Sequence, residues 1–331
     1  MKLFLSFVTT CIFISCNTKH ETMLGSIERI DPAINSILDQ NAKIEIIAEG
    51  FEWAEGPLWI EAQKMLLFSD VPANTIYQWT EKKGQEKYLN PSGYTGVEKR
   101  GGETGSNGLL LNNEGQLVLC QHGNRQMAWM DANLDDPKPV FKPIANLYNG
   151  QKFNSPNDAI YNTKGELFFT DPPYGLEKNM EDPKKEIPFQ GVYKVTASGS
   201  VILLTDSITR PNGLAFSPDE KKLFVANSDP EKPYWYVFDL SAGDSLTNGK
   251  VFYDATAASK QEQGLPDGMK IDKKGNVYAT GPGGVWIFNK DAKLLGKIKF
   301  PSPTSNCAFT SDQKILFITA DNYVLRVRSR E

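Results

Sequence analysis

One short phrase occurs six times along the chain. Each copy starts with an oxygen-bearing side chain, most often followed by glycine, and runs into a brief apolar stretch: EGPLWI from Glu55, NGLLLN from Asn107, NDAIYN from Asn157, NGLAFS from Asn212, DGMKID from Asp267 and NCAFT from Asn306. Successive copies lie 52, 50, 55, 55 and 39 residues apart. After each comes a polar turn and a second apolar run, as in AQKMLLFSD at 62–70, KGELFFTD at 164–171 and DEKKLFVAN at 219–227. Two β-runs joined by a short polar turn are the signal of a hairpin. Further β-runs follow at 75–79, 191–195, 235–239, 284–288 and 323–327. The repeating unit is therefore three or four strands in roughly 50 residues, a period that indicates a propeller.

The fold class expected is all-β, a six-bladed β-propeller. Long helical periodicity is absent, and 27 Gly and 20 Pro suit a chain dominated by turns. The last unit is one strand short. The run KIEIIA at 43–48 precedes the first repeat and can supply the missing outer strand, so that an N-terminal strand closes the ring and leaves no open sheet edge. Six such units use nearly all of the 331 residues, which argues for one large domain over residues 41–331. A net charge of −4 with no basic stripe argues against a nucleic-acid partner.

The N-terminus reads differently. Lys2 precedes an apolar run over 3–14 that is too short to span a bilayer, so 1–16 is expected to be a signal peptide. FISC at 13–16 resembles a bacterial lipobox, with Cys16 lipidated and 17–40 serving as a tether. The expected location is exported, periplasmic or outer-membrane-anchored, with a lipid on Cys16 as the sole membrane contact. Cys120 and Cys307 fall in inner strands of non-adjacent blades and are expected to be free buried thiols. No Cys/His spacing for zinc is present.

A propeller brings its innermost strands to the axis, so the six leading side chains should crowd one mouth of the central channel. Two carboxylates and four amides are hard oxygen donors, suited to Ca2+; Mg2+, Mn2+ or Zn2+ could also occupy such a site. The second strand of each blade returns to the same face, which should place Asp70, His122, Asp171, Asn227 and Asp321 around the rim. Asn-Gly and Asp-Gly are also ordinary turn pairs, but turn chemistry has no need of Glu55 before Gly56 and Pro57. A lone histidine such as His122 is often structural, and Asp171 in TDPPYG could be a turn cap.

EGP at 55–57, PSGYTG at 91–96, GSNGL at 105–109, HGNRQ at 122–126, NSPND at 154–158, FTDPPYGL at 169–176, FQGVY at 189–193, RPNGLAFSPDEK at 210–221 and PDGMKID at 266–272 together resemble bacterial gluconolactonases. Those belong to the family of senescence-marker protein (regucalcin), gluconolactonase and luciferin-regenerating enzyme. The resemblance runs from about residue 45 to the C-terminus. It implies a six-bladed propeller with one divalent metal on the axis, held by Glu55, Asn212 and Asp267, with Asn157 as a fourth ligand or a substrate contact. It also implies Asp267 as the catalytic base or nucleophile. Asn107 and Asn306 fall outside that ligand set.

The activity expected is opening of a small-molecule sugar lactone such as glucono-1,5-lactone, with Asp267 assisting attack by water. Asn107, His122, Asp171 and Tyr174 are expected on the substrate side. Two insertions, 91–106 and 172–190, are expected as lid loops, with Tyr94 and Tyr174 able to stack on a sugar face. Alternatives from the same residues are another calcium-dependent esterase or phosphotriesterase, a hydrolase of modified sugars, or a non-catalytic glycan-binding propeller.

Overall fold

The computed structural model describes residues 25–241, 243 and 245–328. The expected signal peptide and Cys16 lie outside the described residues. Six antiparallel blade sheets stand around an axis, each with its innermost strand beginning within two residues of the leader of one of the six repeated phrases. Blade 1 is Ala54–Ile60, Met65–Asp70, Thr75–Thr80 and Gly84–Leu89. Blade 2 is Ser106–Leu111, Leu117–Gln121, Gln126–Met130 and Phe141–Ala145. Blade 3 is Ala159–Tyr161, Leu167–Asp171, Gly191–Val195 and Val201–Thr205. Blade 4 is Pro211–Phe216, Lys222–Asp229, Lys232–Leu240 and Leu246–Asp254. Blade 5 starts with Met269–Ile271, Val277–Gly281, Gly284–Phe288 and Leu294–Lys299. Blade 6 supplies Asn306–Phe309, Ile315–Ala320 and Tyr323–Arg328.

Closure follows the expected route. Ile44–Glu49 pairs antiparallel with Tyr323–Arg328, Ile44 opposite Val327 and Ile46 opposite Leu325, so the chain's beginning completes its last blade. Apolar residues fill the gaps between blades. Between blades 6 and 1, for example, Phe51, Phe68, Trp79, Phe317 and Val324 form one buried cluster. Cys120 and Cys307 are buried free thiols, as expected.

The tether expected over 17–40 is corrected in its described part. Ser26–Arg29 adds a fifth strand to the outer edge of blade 5, Ile27 opposite Ile298. Asp31 then caps a 3-10 turn over Pro32–Ser36 by accepting from the Ala33 N–H at 2.8 Å. That turn seats Ile34, Ile37 and Leu38 in the core between blades 5 and 6. Burying each is worth about 1.5–3 kcal/mol relative to exposure, ample reason for the segment to pack rather than hang free.

The glycine in the repeated phrase has a packing role that turn chemistry does not account for. A Cβ on Gly56, whose φ is +52°, would sit 2.0 Å from the carbonyl oxygen of Asn107 in the next blade. A Cβ on Gly213 would sit 2.4 Å from the Asp267 carbonyl. A Cβ on Gly108 would meet the Asn157 carbonyl at 2.8 Å, and one on Gly268 would meet the Asn306 side chain. Glycine here lets adjacent inner strands meet, which draws the leading side chains together at the axis.

Candidate active site at the axial cavity

A cavity of about 340 Å³ opens at the mouth of the channel. Five of the six leading residues line it, namely Glu55, Asn107, Asn157, Asn212 and Asp267, and Tyr174 joins them. The sixth, Asn306, stands behind the wall. Its Oδ1 accepts from the Cys307 N–H at 2.8 Å, and its side chain hydrogen-bonds the Glu55 carboxylate.

Each donor is held by its own strand. Glu55 is buried, and its Oε2 accepts from the Gly56 N–H at 2.9 Å. The Asn212 amide donates to Ser228 Oγ at 3.0 Å, and its side chain also hydrogen-bonds Asp267. Ser228 Oγ in turn donates to the Pro266 carbonyl at 2.5 Å, one residue before Asp267. Asp267 Oδ1 and Asn107 Oδ1 are buried atoms with no hydrogen-bond partner.

The electrostatics are those of crowded, buried carboxylates. Burial pushes Glu55 up to about 8, against the pull of the Gly56 N–H, and the charges of Asp158 and Glu103 add to the rise. Burial likewise holds Asp267 well above the ordinary carboxylate range, reinforced first by Glu55 and then by Glu103 and Asp158. Burial raises the Tyr174 phenol as well. Among the described residues no three His, Cys, Asp or Glu side chains form a ready-made metal cluster, so amides must supply much of any donor set here. The observed donors do fit a hard divalent cation: two carboxylates that repel each other, adjacent amide oxygens, and orphaned oxygen atoms at Asp267 and Asn107.

Several rim expectations are corrected. Asp171 does not line the cavity. It is buried, and its two oxygens accept from the backbone N–H groups of Asn154 at 2.8 Å and Ser155 at 2.7 Å. Asp70 does the same for Glu52 and Trp53, and Asn227 for Arg210. In blades 1, 3 and 4 a residue at or near the end of the second strand is thus a cap for the segment leading into the inner strand. His122 is also buried behind the wall, with Nδ1 3.1 Å from Glu103 Oε2. Tyr94 lies under the Arg100 guanidinium, 5.4 Å from it, rather than at the cavity.

The sequence reading missed several cavity residues. Trp53, Glu103, Arg210 and Ser228 all line the space. Glu103 comes from the 91–106 insertion and Arg210 directly precedes RPNG's proline, but neither carries a periodic signal. Their proximity to recognised motifs was the one available cue.

A six-bladed propeller with an acidic axial cavity is the class that fold and site define. The chain belongs to the family described as SMP-30/Gluconolactonase/LRE-like region, whose model matches residues 53–322. It is 38% identical over 328 residues to a gluconolactonase of Zymomonas mobilis subsp. mobilis, covering 95% of this chain and 89% of that protein. Among solved structures it is similar to a gluconolactonase from Xanthomonas campestris, with a TM-score of 0.79, 29% identity, and coverage of 92% of this chain and 94% of that one. A lactonohydrolase of Aspergillus oryzae is 25% identical over 353 residues, covering 96% of this chain and 78% of that protein.

Proposed function

We propose that this protein is a divalent-metal-dependent lactone hydrolase acting on sugar lactones of the glucono-1,5-lactone type. The gluconolactonase relatives support the reaction class. The observation that carries the metal is the pair of buried carboxylates, Glu55 and Asp267, each raised in pKa first by burial and then by neighbouring carboxylates, with an orphaned Asp267 oxygen. Such a pair is costly to bury without a counter-charge.

Glu55, Asn157, Asn212 and Asp267 would hold the ion, and the all-oxygen donor set favours Ca2+. When bound, such an ion supplies positive charge at a carbonyl oxygen and lowers the pKa of water. The residues of the chain do the rest. Asp267 takes the proton of the attacking water. Asn107 and Tyr174 orient the lactone from the cavity wall, and the walls of the cavity limit access of bulk water. Ser228 keeps Asn212 and the Asp267 segment in register with each other. We further propose export of the protein, with Cys16 as the lipid-bearing residue.

The test is lactone opening by Asp267→Asn and Glu55→Gln beside the parent protein. A loss of at least about a hundredfold in either is the expected result. Parental turnover in Asp267→Asn removes the proposed base.

A further inference from the structure

Three carboxylates face the axial cavity, and the proposed ion accounts for two of them. The third, Glu103, has no part in the donor set, yet it lines the same space. Its charge reaches both Glu55 and Asp267, since it contributes to the raised pKa of each.

Glu103 is built into place. The loop that carries it is tied at its start, where Asn74 Oδ1 accepts from the N–H groups of Ser92 at 3.1 Å and Gly93 at 2.7 Å. It is tied at its end, where the Ser106 N–H donates to Ser92 Oγ at 3.0 Å. Between these points the Arg100 guanidinium donates to the Gly123 carbonyl at 2.7 Å and to the Gly175 carbonyl, locking the loop to blades 2 and 3. Behind Glu103 stands His122, fully buried, with Nδ1 3.1 Å from Oε2. Neither ring nitrogen of His122 makes a well-directed hydrogen bond, and the contact with Glu103 is one of proximity. An imidazole buried with so little satisfaction is expensive, and the cavity carboxylate stands within reach of its Nδ1. About a third of the Glu103 side chain remains open.

We propose that Glu103 is the acceptor that reads substrate hydroxyl groups, that His122 is the positioning residue that aims it, and that this pair makes the site select polyhydroxylated lactones over bare ones. A carboxylate backed by a buried imidazole and free on its other face can accept from two neighbouring hydroxyls, and hydrogen bonds to a charged acceptor are the stronger kind. The ring of a lactone without hydroxyls offers it nothing. His122 thus acts through Glu103 rather than by touching the sugar.

This inference rests on the lactone-hydrolase reading, so its test uses ligands that cannot turn over. Calorimetric binding of D-glucono-1,5-lactam and of δ-valerolactam is measured with calcium in excess for the parent, Glu103→Gln, Glu103→Ala and His122→Leu. Each variant's unfolding midpoint and calcium affinity are measured alongside. The expected result is a loss of about 10- to 100-fold in gluconolactam affinity for Glu103→Ala, the range for hydrogen bonds to a charged group. Glu103→Gln, which keeps one acceptor oxygen, and His122→Leu, which leaves the carboxylate unaimed, lose less. Valerolactam affinity stays at the parental value, and calcium affinity falls by no more than about tenfold, the effect of a neighbouring charge that does not ligate the ion. Equal loss for both lactams, an undiminished gluconolactam affinity, no gluconolactam binding by the parent, or abolished calcium binding in Glu103→Gln each overturns the assignment. Selective gluconolactam binding in a protein that opens no lactone refutes the hydrolase reading and leaves this one standing.

Discussion

Replacing Asp171 separates a structural cap from a substrate contact. Its carboxylate accepts from the Asn154 and Ser155 N–H groups at 2.8 and 2.7 Å, with no exposed surface. Asp171→Ala strands both donors in the interior. Each unsatisfied buried group costs about 1–3 kcal/mol, so the pair costs about 2–6 kcal/mol. Asp171→Asn keeps one acceptor oxygen and should cost about half of that. Urea unfolding followed by tryptophan fluorescence reads both values. Turnover should fall as well, by displacement: Ser155 Oγ donates to the Pro172 carbonyl and accepts from the Gly175 N–H, which fixes the loop bearing Tyr174. The pH dependence adds a signature. Burial pushes Asp171 up to about 7 despite its two N–H donors. Its folded pKa lies above its unfolded value of 3.8, so the native state holds a proton there that the unfolded chain has released. That contribution to stability falls as pH rises from about 4 to about 7, and Asp171→Asn abolishes this slope. An Asp171→Ala protein with a parental unfolding midpoint and a raised KM would refute the cap and restore Asp171 to the substrate.

Other outcomes follow from the same structure. Without a cation, Glu55 and Asp267 hold protons that an ion must displace, so calcium affinity should weaken as pH drops below about 8, and calorimetry in buffers of different ionisation enthalpy should register proton release. By the same linkage the metal-free protein gains nothing from these two groups once they ionise, and calcium should raise the melting temperature more at pH 8 than at pH 6. Gly56→Ala places a Cβ 2.0 Å from the Asn107 carbonyl on a left-handed backbone, and should lower unfolding free energy by at least about 2 kcal/mol. A parental melting curve contradicts the close-approach role. Cys16→Ser should move the protein from the membrane to the soluble fraction of the producing cell, and unchanged fractionation removes the lipid anchor.

The propeller was legible because two signals are written locally. Alternating apolar residues with a polar turn identify each hairpin, and the recurrence of the leading residue gives the blade period. Even the closing strand, Ile44–Glu49, carries enough β-branched character to be found. The strand Ser26–Arg29 does not: SIER has a single large apolar residue, and only its pairing with Leu294–Lys299 makes it a strand. The axial donors were legible because their position follows from register. Asp70, Asp171 and Asn227 were misplaced because strand-end position does not encode whether a carboxylate or amide turns toward the cavity or back onto its own backbone. Orphan N–H groups two and three residues before the inner-strand leader decided that, and they are visible only in the folded chain. Glu103 and Arg210 come from aperiodic segments placed by tertiary ties such as Arg100 to Gly123 and Asn227 to the Arg210 N–H. The glycines were noticed, but their cause is contact between blades, which no single repeat contains.

The central claim is that the axial carboxylates hold a divalent ion without which the lactone is not opened. Acid release from glucono-1,5-lactone, followed by pH-stat above the spontaneous rate, tests it on one preparation in three conditions: as purified, after exhaustive chelation, and after calcium is returned. The account predicts catalysis in the first, none in the second and recovery in the third. Undiminished catalysis by the chelated protein, with its metal content shown to be negligible, would contradict it.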